Sequence, residues 1–226
     1  MWVSYKNGDF MDKRFIVILV VVVLGLAGIF FIGKNKSSSS TSSSSSSAVG
    51  TVSNHTRGNN AKKVNLTVYG DFQCPICGQF YPIEKKVVDT YQNDISFTFM
   101  HFPLESIHPN ARAAARAAEA AGLQGKFFEM HDLLYENQSA WSSSSDSLTI
   151  FTAYALQLGL DAAKFKSDFA SETVNSTINA DLKNGNSKGV NGTPTYYLNG
   201  QKLENGDIGS YDKFSAKIQD AINNAK

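Results

Sequence analysis

The sequence predicts an α/β domain built in the order strand, helix, strand, helical block, hairpin, helix. Three observations carry that expectation. Residues 64–69 alternate and are β-branched, and a helical pattern begins at Cys74; residues 109 to about 188 show helical patterning without a strand signal; and Asn199-Gly200 sits between two short strand signals near the C-terminus.

The run 64–69 (Val-Asn-Leu-Thr-Val-Tyr) fits a pleated strand, and Gly70-Asp71-Phe72-Gln73 ends it. From Cys74 to about Gln92, Phe80, Ile83, Val87, Val88 and Tyr91 recur at spacings of three and four, the period of an amphipathic helix. Pro75 falls on its first turn, where a missing N–H costs nothing and a fixed φ suits the helix. Residues 95–102 form the second strand, stopped by Pro103, so the first three elements make a βαβ unit with the cysteines at its strand-to-helix junction. The stretch 109–188 accommodates four or five helices, including an alanine-rich one at 110–121 and others at 126–135, 148–158 and 161–170, with 142–145 as a loop. After Gly192-Thr193-Pro194, residues 195–198 read as a strand, Asn199-Gly200 as a tight hairpin turn, and 201–203 as the returning strand. Residues 211–225 close the domain as a helix with Phe214, Ile218 and Ile222 on one face and Ser210 as its N-cap.

The first sixty residues read differently. Residues 15–32 are free of charge and rich in Val, Ile, Leu and Phe, flanked by Lys13-Arg14 and by Lys34 and Lys36. That length just spans a bilayer. A cleaved leader is the rival reading, but its apolar part is usually about 7–15 residues and ends in small residues, whereas this run ends in Phe30-Phe31-Ile32-Gly33. The expectation is a retained transmembrane anchor at 15–32 with residues 1–14 cytoplasmic. Residues 33–60 follow as a Ser-rich linker without the means to form a core. The domain is expected over 61–226. There, fifteen Lys and Arg stand against eighteen Asp and Glu, so the basic stripe of a nucleic-acid-binding surface is missing.

The chain has only two cysteines, Cys74 and Cys77. As a staple the pair is poorly placed, because closing so short a loop contributes about 2 kcal/mol against about 4.7 for a hundred-residue loop. As chemistry it makes sense. A thiolate attacks a disulfide where a thiol does not, and Cys74 at a helix start meets unpaired N–H groups, those of Ile76 and Cys77, and the positive end of the dipole. Cys77, one turn later and more buried, is then the resolving thiol. Half of a zinc site is the competing reading, but there is no second cysteine pair, and His101 and His108 are too far apart for the usual His spacing. Two inert core thiols are the other.

Asp71-Phe72-Gln73-Cys74-Pro75-Ile76-Cys77 resembles the active-site segment of DsbA-like thiol:disulfide oxidoreductases. His101-Phe102-Pro103-Leu104, the run from His108-Pro109-Asn110-Ala111 to Met130-His131, and Gly192-Thr193-Pro194-Thr195 are similar to later segments of that family, in its order. The resemblance covers about 63 to the C-terminus. It implies a thioredoxin fold with an inserted all-helical subdomain at about 104–188, catalysis by Cys74 and Cys77 tuned by Pro75 and Ile76, and no cofactor or metal. It further implies a cis bond at Pro194, with Thr193 and Pro194 touching substrate. The implied partners are reduced or unfolded exported proteins and a membrane quinone-linked reoxidase, DsbB-like or VKOR-like. The implied activity is disulfide formation outside the cytoplasm. A reductase or isomerase kept reduced by a membrane donor, or a non-catalytic binding module of the same fold, are the alternatives.

Two departures stand out. Val68 occupies the position, six before the first cysteine, where many such enzymes carry a buried acid, so proton relay falls to water or Asp71. The central dipeptide Pro75-Ile76 lacks the family's frequent histidine. His55 reads as an idle linker residue, and His101, His108 and His131 as packing or capping residues. Asn65 and Asn191 match the glycosylation pattern but fall in a strand and in the proline loop, and Trp141 reads as core or rim.

Overall fold

Five strands form one mixed sheet in the spatial order β1-β3-β2-β4-β5: β1 (Thr56–Arg57), β2 (Val64–Gly70), β3 (Ile95–His101), β4 (Thr195–Leu198) and β5 (Gln201–Lys202). The structure, a computed structural model, describes residues 50–225. The expected anchor at 15–32, the tail at 1–14 and the linker up to residue 49 lie outside the described residues. Among those described, no helix is long and apolar enough to cross a membrane.

β2 and β3 run parallel, and helix α1 (Pro75–Tyr91) joins them as the crossover that a parallel pair requires. On its other side β2 pairs antiparallel with β4, with Val68 opposite Tyr196. The β4–β5 hairpin turns at Asn199 and Gly200, whose φ values of 50° and 80° supply the two left-handed positions of a two-residue turn.

The inserted block comprises α2 (Ala111–Gly122), α3 (Phe127–Glu136), the one-turn α4 (Gln138–Trp141), α5 (Ser147–Gln157), α6 (Ala162–Ala170) and α7 (Glu172–Ser187). It holds one element more than the expected four or five because Trp141 closes a single turn, its indole N–H donating to Leu134 O. Eight of the twelve residues of α2 are buried, seven of them alanine. Side chains this small let α3, α5, α6 and α7 all pack against one helix. After the hairpin come the short α8 (Asn205–Ile208) and α9 (Tyr211–Asn224). Ser210 caps α9 as expected, its hydroxyl accepting from Lys213 N–H at 3.4 Å, and Phe214 and Ile218 enter the core.

One boundary is corrected. The linker was expected to run to residue 60, but the chain is already part of the fold at residue 53. Ser53 is buried, and its N–H and hydroxyl each donate to Asp181 at 2.7 Å. The next turn of chain adds β1 to the edge of β3. His55 is not idle. Its ring stacks on Phe127 with centroids 3.5 Å apart, and its Nε2 lies 2.8 Å from Glu119 Oε1. Polar sequence hid this docking because the segment is held by buried carboxylates rather than by an apolar stripe.

Candidate active site at the start of helix α1

β2 ends at Gly70, and the chain turns over Asp71-Phe72-Gln73 into α1, so Cys74 becomes the residue that precedes the first helical turn. Its backbone is extended (φ −63°, ψ 120°), Pro75 follows at the first helical position, and no side-chain oxygen caps the helix. The N–H groups of Ile76 and Cys77 point instead at the Cys74 sulfur. This is the arrangement expected for a stabilised thiolate.

The two thiols are driven apart. A hydrogen bond from the Cys77 thiol is the main influence that holds Cys74 down, to a pKa of about 5; burial opposes it, while the Thr193 hydroxyl and the N–H groups of Cys77 and Ile76 add to it. Burial pushes Cys77 well up, and the neighbouring Cys74 sulfur pushes it further. Accessible area is small for both, at 5% for Cys74 and 4% for Cys77, but Cys77 lies deeper among protein atoms, as expected, and burial is the main influence on it. What separates them is the donors that Cys74 collects and the burial that weighs most on Cys77.

The loop before β4 closes the site from the other side. The Thr193–Pro194 bond is cis, as the resemblance implies, and Thr193 O lies 3.4 Å from Cys74 Sγ. Thr193 Oγ1 is buried without a conventional hydrogen-bond partner among the described residues, yet it lowers both thiols. A sulfur anion is the acceptor that would satisfy it. Beside this loop a groove of about 480 Å³ is lined by Ile76, Phe80, Thr193, Pro194, Leu203 and Ile208. Ile76 is 47% exposed at its edge, an apolar side chain displayed next to the nucleophile. Thus Cys74, Cys77, Ile76, Thr193 and Pro194 converge, and Pro75 starts the helix.

Residues that sequence reasoning passed over fix this geometry. Gln138 of α4 donates its side-chain amide to both Phe72 O and Cys74 O, at 2.7 and 2.9 Å. Its approach also explains Gly78: a Cβ there would stand 2.6 Å from Gln138 Oε1. Gln73 donates to Ser142 O and accepts from Asn110 N–H, tying the active-site turn to the helical block. Asp71 is not a free proton acceptor for the thiols. Its carboxylate already accepts from Gln73 N–H and Leu104 N–H and lies 2.7 Å from His108 Nδ1, so it organises the turn.

The position opposite the turn confirms a departure and reveals an acid. Val68 is buried and apolar, but Glu84, on the buried face of α1 with Cys77, Tyr81 and Val88, is buried as well and accepts from Tyr196 Oη–H at 2.8 Å. Burial pushes Glu84 up to about 7, with Tyr196 and Arg57 opposing and Asp132 adding. Nothing in the sequence marks it except its distance of two helical turns from Cys77.

His101 and His55 both direct Nε2 at Glu119 Oε1, each at 2.8 Å. Burial opposes ionisation of Glu119, but these two imidazoles hold it down to about 2. The three donor atoms lie within 4.8 Å of one another, close enough to consider a cation. Zinc-bound imidazoles normally donate their second N–H to an acceptor, and His101 Nδ1 is buried without one. The cluster therefore reads as a staple between the N-terminal segment, β3 and α2. His131 packs among Phe99, Phe127, Phe128 and Tyr135, as expected for a core histidine.

The chain matches the family described as Thioredoxin over residues 50–220. Among curated relatives it is 38% identical over 170 residues to Na(+)/H(+) antiporter NhaA 1 of Salinispora arenicola, covering 74% of this chain but 24% of that protein. The chain thus spans about a quarter of the length of that relative. Among solved structures, BdbD from Bacillus subtilis in its oxidised form superposes with a TM-score of 0.63 at 22% identity, covering 74% of this chain and 92% of that one. The thiol-disulfide exchange protein alpha-DsbA2 from Wolbachia pipientis superposes with a TM-score of 0.62 at 18% identity, covering 73% and 85%. At these identities the likeness is one of fold, including the helical block between the βαβ unit and the hairpin. With the family match spanning the whole described sheet and the cysteine pair at the start of its first long helix, the chain belongs to the thioredoxin family.

Proposed function

We propose that the protein is a thiol:disulfide oxidoreductase that forms disulfide bonds in exported proteins, with Cys74 as nucleophile and Cys77 as resolving thiol. The observation that carries this reading is the opposite displacement of the two thiols, Cys74 down to about 5 and Cys77 well up. In the oxidised enzyme a client thiolate attacks Cys74 Sγ. The Cys74–Cys77 bond breaks, its electron pair leaves on Cys77, and a client–Cys74 disulfide forms. A second client thiolate then attacks the client sulfur of that bond and expels Cys74, a good leaving group because its thiolate is stable. The client gains a disulfide and the enzyme is left reduced. The groove along Ile76 and the Thr193–Pro194 loop supplies a mixed bed for an extended client segment, with Phe80, Leu203 and Ile208 for apolar side chains and Asn191, Lys202 and Glu204 for polar ones.

A stabilised reduced form is what makes such a couple oxidising, which favours oxidase over reductase or isomerase. The presence of a redox pair weighs against a non-catalytic binding module. The fold likeness to alpha-DsbA2 of Wolbachia pipientis, a thiol-disulfide exchange protein, supports the same class. Ion exchange by the antiporter relative is not carried over, since the match spans 24% of it. In this reading residues 15–32 anchor the chain, residues 1–14 are cytoplasmic, the catalytic domain works outside, and a membrane quinone-linked enzyme, DsbB-like or VKOR-like, reoxidises it.

The test is the reduction potential of the Cys74–Cys77 couple against glutathione. An oxidase should lie above about −200 mV, nearer the roughly −120 mV of DsbA than the roughly −270 mV of thioredoxin. A value near that of thioredoxin overturns the direction, and no exchange at all overturns the activity.

A further inference from the structure

Asn7, Asn184, Asn191, Asn199 and Asn205 each precede a glycine. In such a pair the backbone nitrogen of the glycine can attack the asparagine side chain, because no Cβ obstructs the approach or restricts the backbone. The first pair lies outside the described residues, and three others are held. Asn184 sits inside α7 and accepts from the Tyr69 hydroxyl. Asn199 is pinned to Asn65, its side-chain oxygen accepting from Asn65 N–H and its own N–H donating to Asn65 O, both at 2.8 Å. Asn205 is the first residue of α8, whose turn fixes its backbone. Asn191 differs. It is exposed and lies in neither helix nor strand, and among the described residues neither its amide nor the Gly192 N–H has a hydrogen-bond partner. A Cβ built on Gly192 would meet nothing within 4 Å, so the space around the nucleophile is open.

The pair stands between two anchors. On one side Val190 is buried in a cluster with Tyr69, Met100, Phe102 and Tyr197, and its N–H donates to Gly185 O at 3.0 Å. On the other side Gly192 O accepts from the Thr195 hydroxyl at 2.7 Å, and Thr193 O lies 3.4 Å from Cys74 Sγ. A main chain lengthened between these anchors has to displace one of them. Val190 is enclosed, whereas Gly192 and Thr193 border the groove, so Thr193 is the residue that moves.

We propose that Asn191-Gly192 is a self-modification site that weakens the active site as the protein ages. The Gly192 nitrogen attacks Asn191 Cγ, a carbon–nitrogen bond forms, and the side-chain amide leaves as ammonia, carrying the proton that Gly192 gives up. Water then opens the five-membered imide. Opening at one carbonyl gives aspartate; opening at the other gives isoaspartate, whose main chain runs through the former side chain and is one carbon longer. Either product puts a carboxylate into the loop that touches Cys74, and isoaspartate also draws Thr193 away from the sulfur. Both changes disfavour the thiolate. The consequence for the redox couple rests on the exchange reading above, whereas the chemistry at Asn191 does not.

The experiment incubates the full-length chain at pH 8 and follows each Asn-Gly peptide by mass spectrometry after proteolysis, with fragmentation separating aspartate from isoaspartate. Asn191 should convert faster than Asn184, Asn199 and Asn205. Alanine fits at position 192, where φ is not left-handed and a Cβ meets nothing. Gly192→Ala should slow the conversion by about fivefold or more, the equivalent of about 1 kcal/mol of lost backbone freedom. In the converted protein, separated by its added charge, thiolate absorbance should show Cys74 titrating above about 5. The incubated Gly192→Ala protein should titrate as it did before incubation. Conversion no faster at Asn191 than at the pinned Asn199 overturns the proposal, as does a converted protein whose Cys74 titration is unmoved. Mass and thiolate absorbance are both read without a client, so a protein that oxidises no thiol would sink the exchange reading and leave the site at Asn191 to stand or fall on these two measurements.

Discussion

Three helices of the inserted block, α5, α6 and α7, and helix α1 begin in the same way electrostatically and are completed in opposite ways. At α5, α6 and α7 an oxygen fills the vacant N–H groups: Asp146 accepts from Thr149 N–H at 3.2 Å, Asp161 from Lys164 at 2.9 Å and Ser171 from Val174 at 3.2 Å. At α1 the capping position holds Cys74, and no side-chain oxygen is present. An oxygen cap stabilises its helix in every state of the protein, by about 1 kcal/mol. A sulfur can accept those N–H groups strongly only as an anion, so the stabilisation appears only when the pair is reduced. The difference teaches that the active site is a helix cap made conditional on redox state.

The largest expected effect comes from abolishing the difference. Cys74→Ser gives α1 the oxygen cap of its neighbours and should remove disulfide exchange altogether, a loss of about a thousandfold or more in an insulin or model-peptide assay, while the protein stays folded. Cys77→Ser should instead accumulate mixed disulfides on Cys74, visible as shifted bands on a non-reducing gel. The reverse pattern would assign the roles the other way round.

Next in size is the redox-dependent stability. Cys74 titrates at about 5 in the fold against an ordinary value of 9.0, so its contribution to the reduced protein is complete above pH 9 and vanishes as pH falls through about 5. At pH 7 it amounts to at most about 3 kcal/mol. Thermal melts with and without dithiothreitol should therefore show the reduced form melting higher at pH 7, with the gap closing at pH 4. An oxidised form that melts higher at pH 7 would turn the reading toward a reductase.

How much of this was legible in the sequence depended on whether the cause was local. The strand, Pro75 and Cys74 lie within one short segment, so the nucleophile and its helix start could be read directly. The hairpin was readable for the same reason, because Asn199-Gly200 carries its own left-handed φ values. The linker boundary, His55 and Gln138 were not. Ser53 meets Asp181, His55 meets Glu119 and Gln138 meets Cys74 across long stretches of chain, and a polar residue held by a distant polar partner has no periodic signature. Glu84 was hidden differently: a Glu on a helix ordinarily faces water, and only the fold turns this one inward.

A smaller effect probes what else the Cys74 anion draws on. Thr193→Val keeps the shape beside the sulfurs but removes a hydroxyl that has no other conventional partner. A hydrogen bond to a charged group is worth about 1.5–3 kcal/mol, so Cys74 should titrate at about 6 or above, and the couple should become less oxidising. Absorbance of the thiolate at 240 nm against pH measures it. An unchanged titration would mean that the helix N–H groups and Cys77 hold the anion alone.

The smallest effect tests whether the caps act independently. Ser171→Ala removes the oxygen that accepts from Val174 N–H and should lower stability by about 1 kcal/mol, through the start of α7. Ser171 also ends α6, with only the peptide unit between the two helices, so the loss should loosen the junction between them. The effect should be the same in the oxidised and reduced protein, because an oxygen cap does not depend on the state of the cysteines. Dipole and cap influences fade within the first turn, so Cys74 at the head of another helix should titrate as before, at about 5. Paired denaturant titrations in both redox states, with the Cys74 titration alongside, measure all three quantities. A Ser171→Ala protein whose loss differs between the redox states, or whose Cys74 titration moves, would mean that the inserted block and the active-site helix are coupled, and the two kinds of cap would no longer be separate devices.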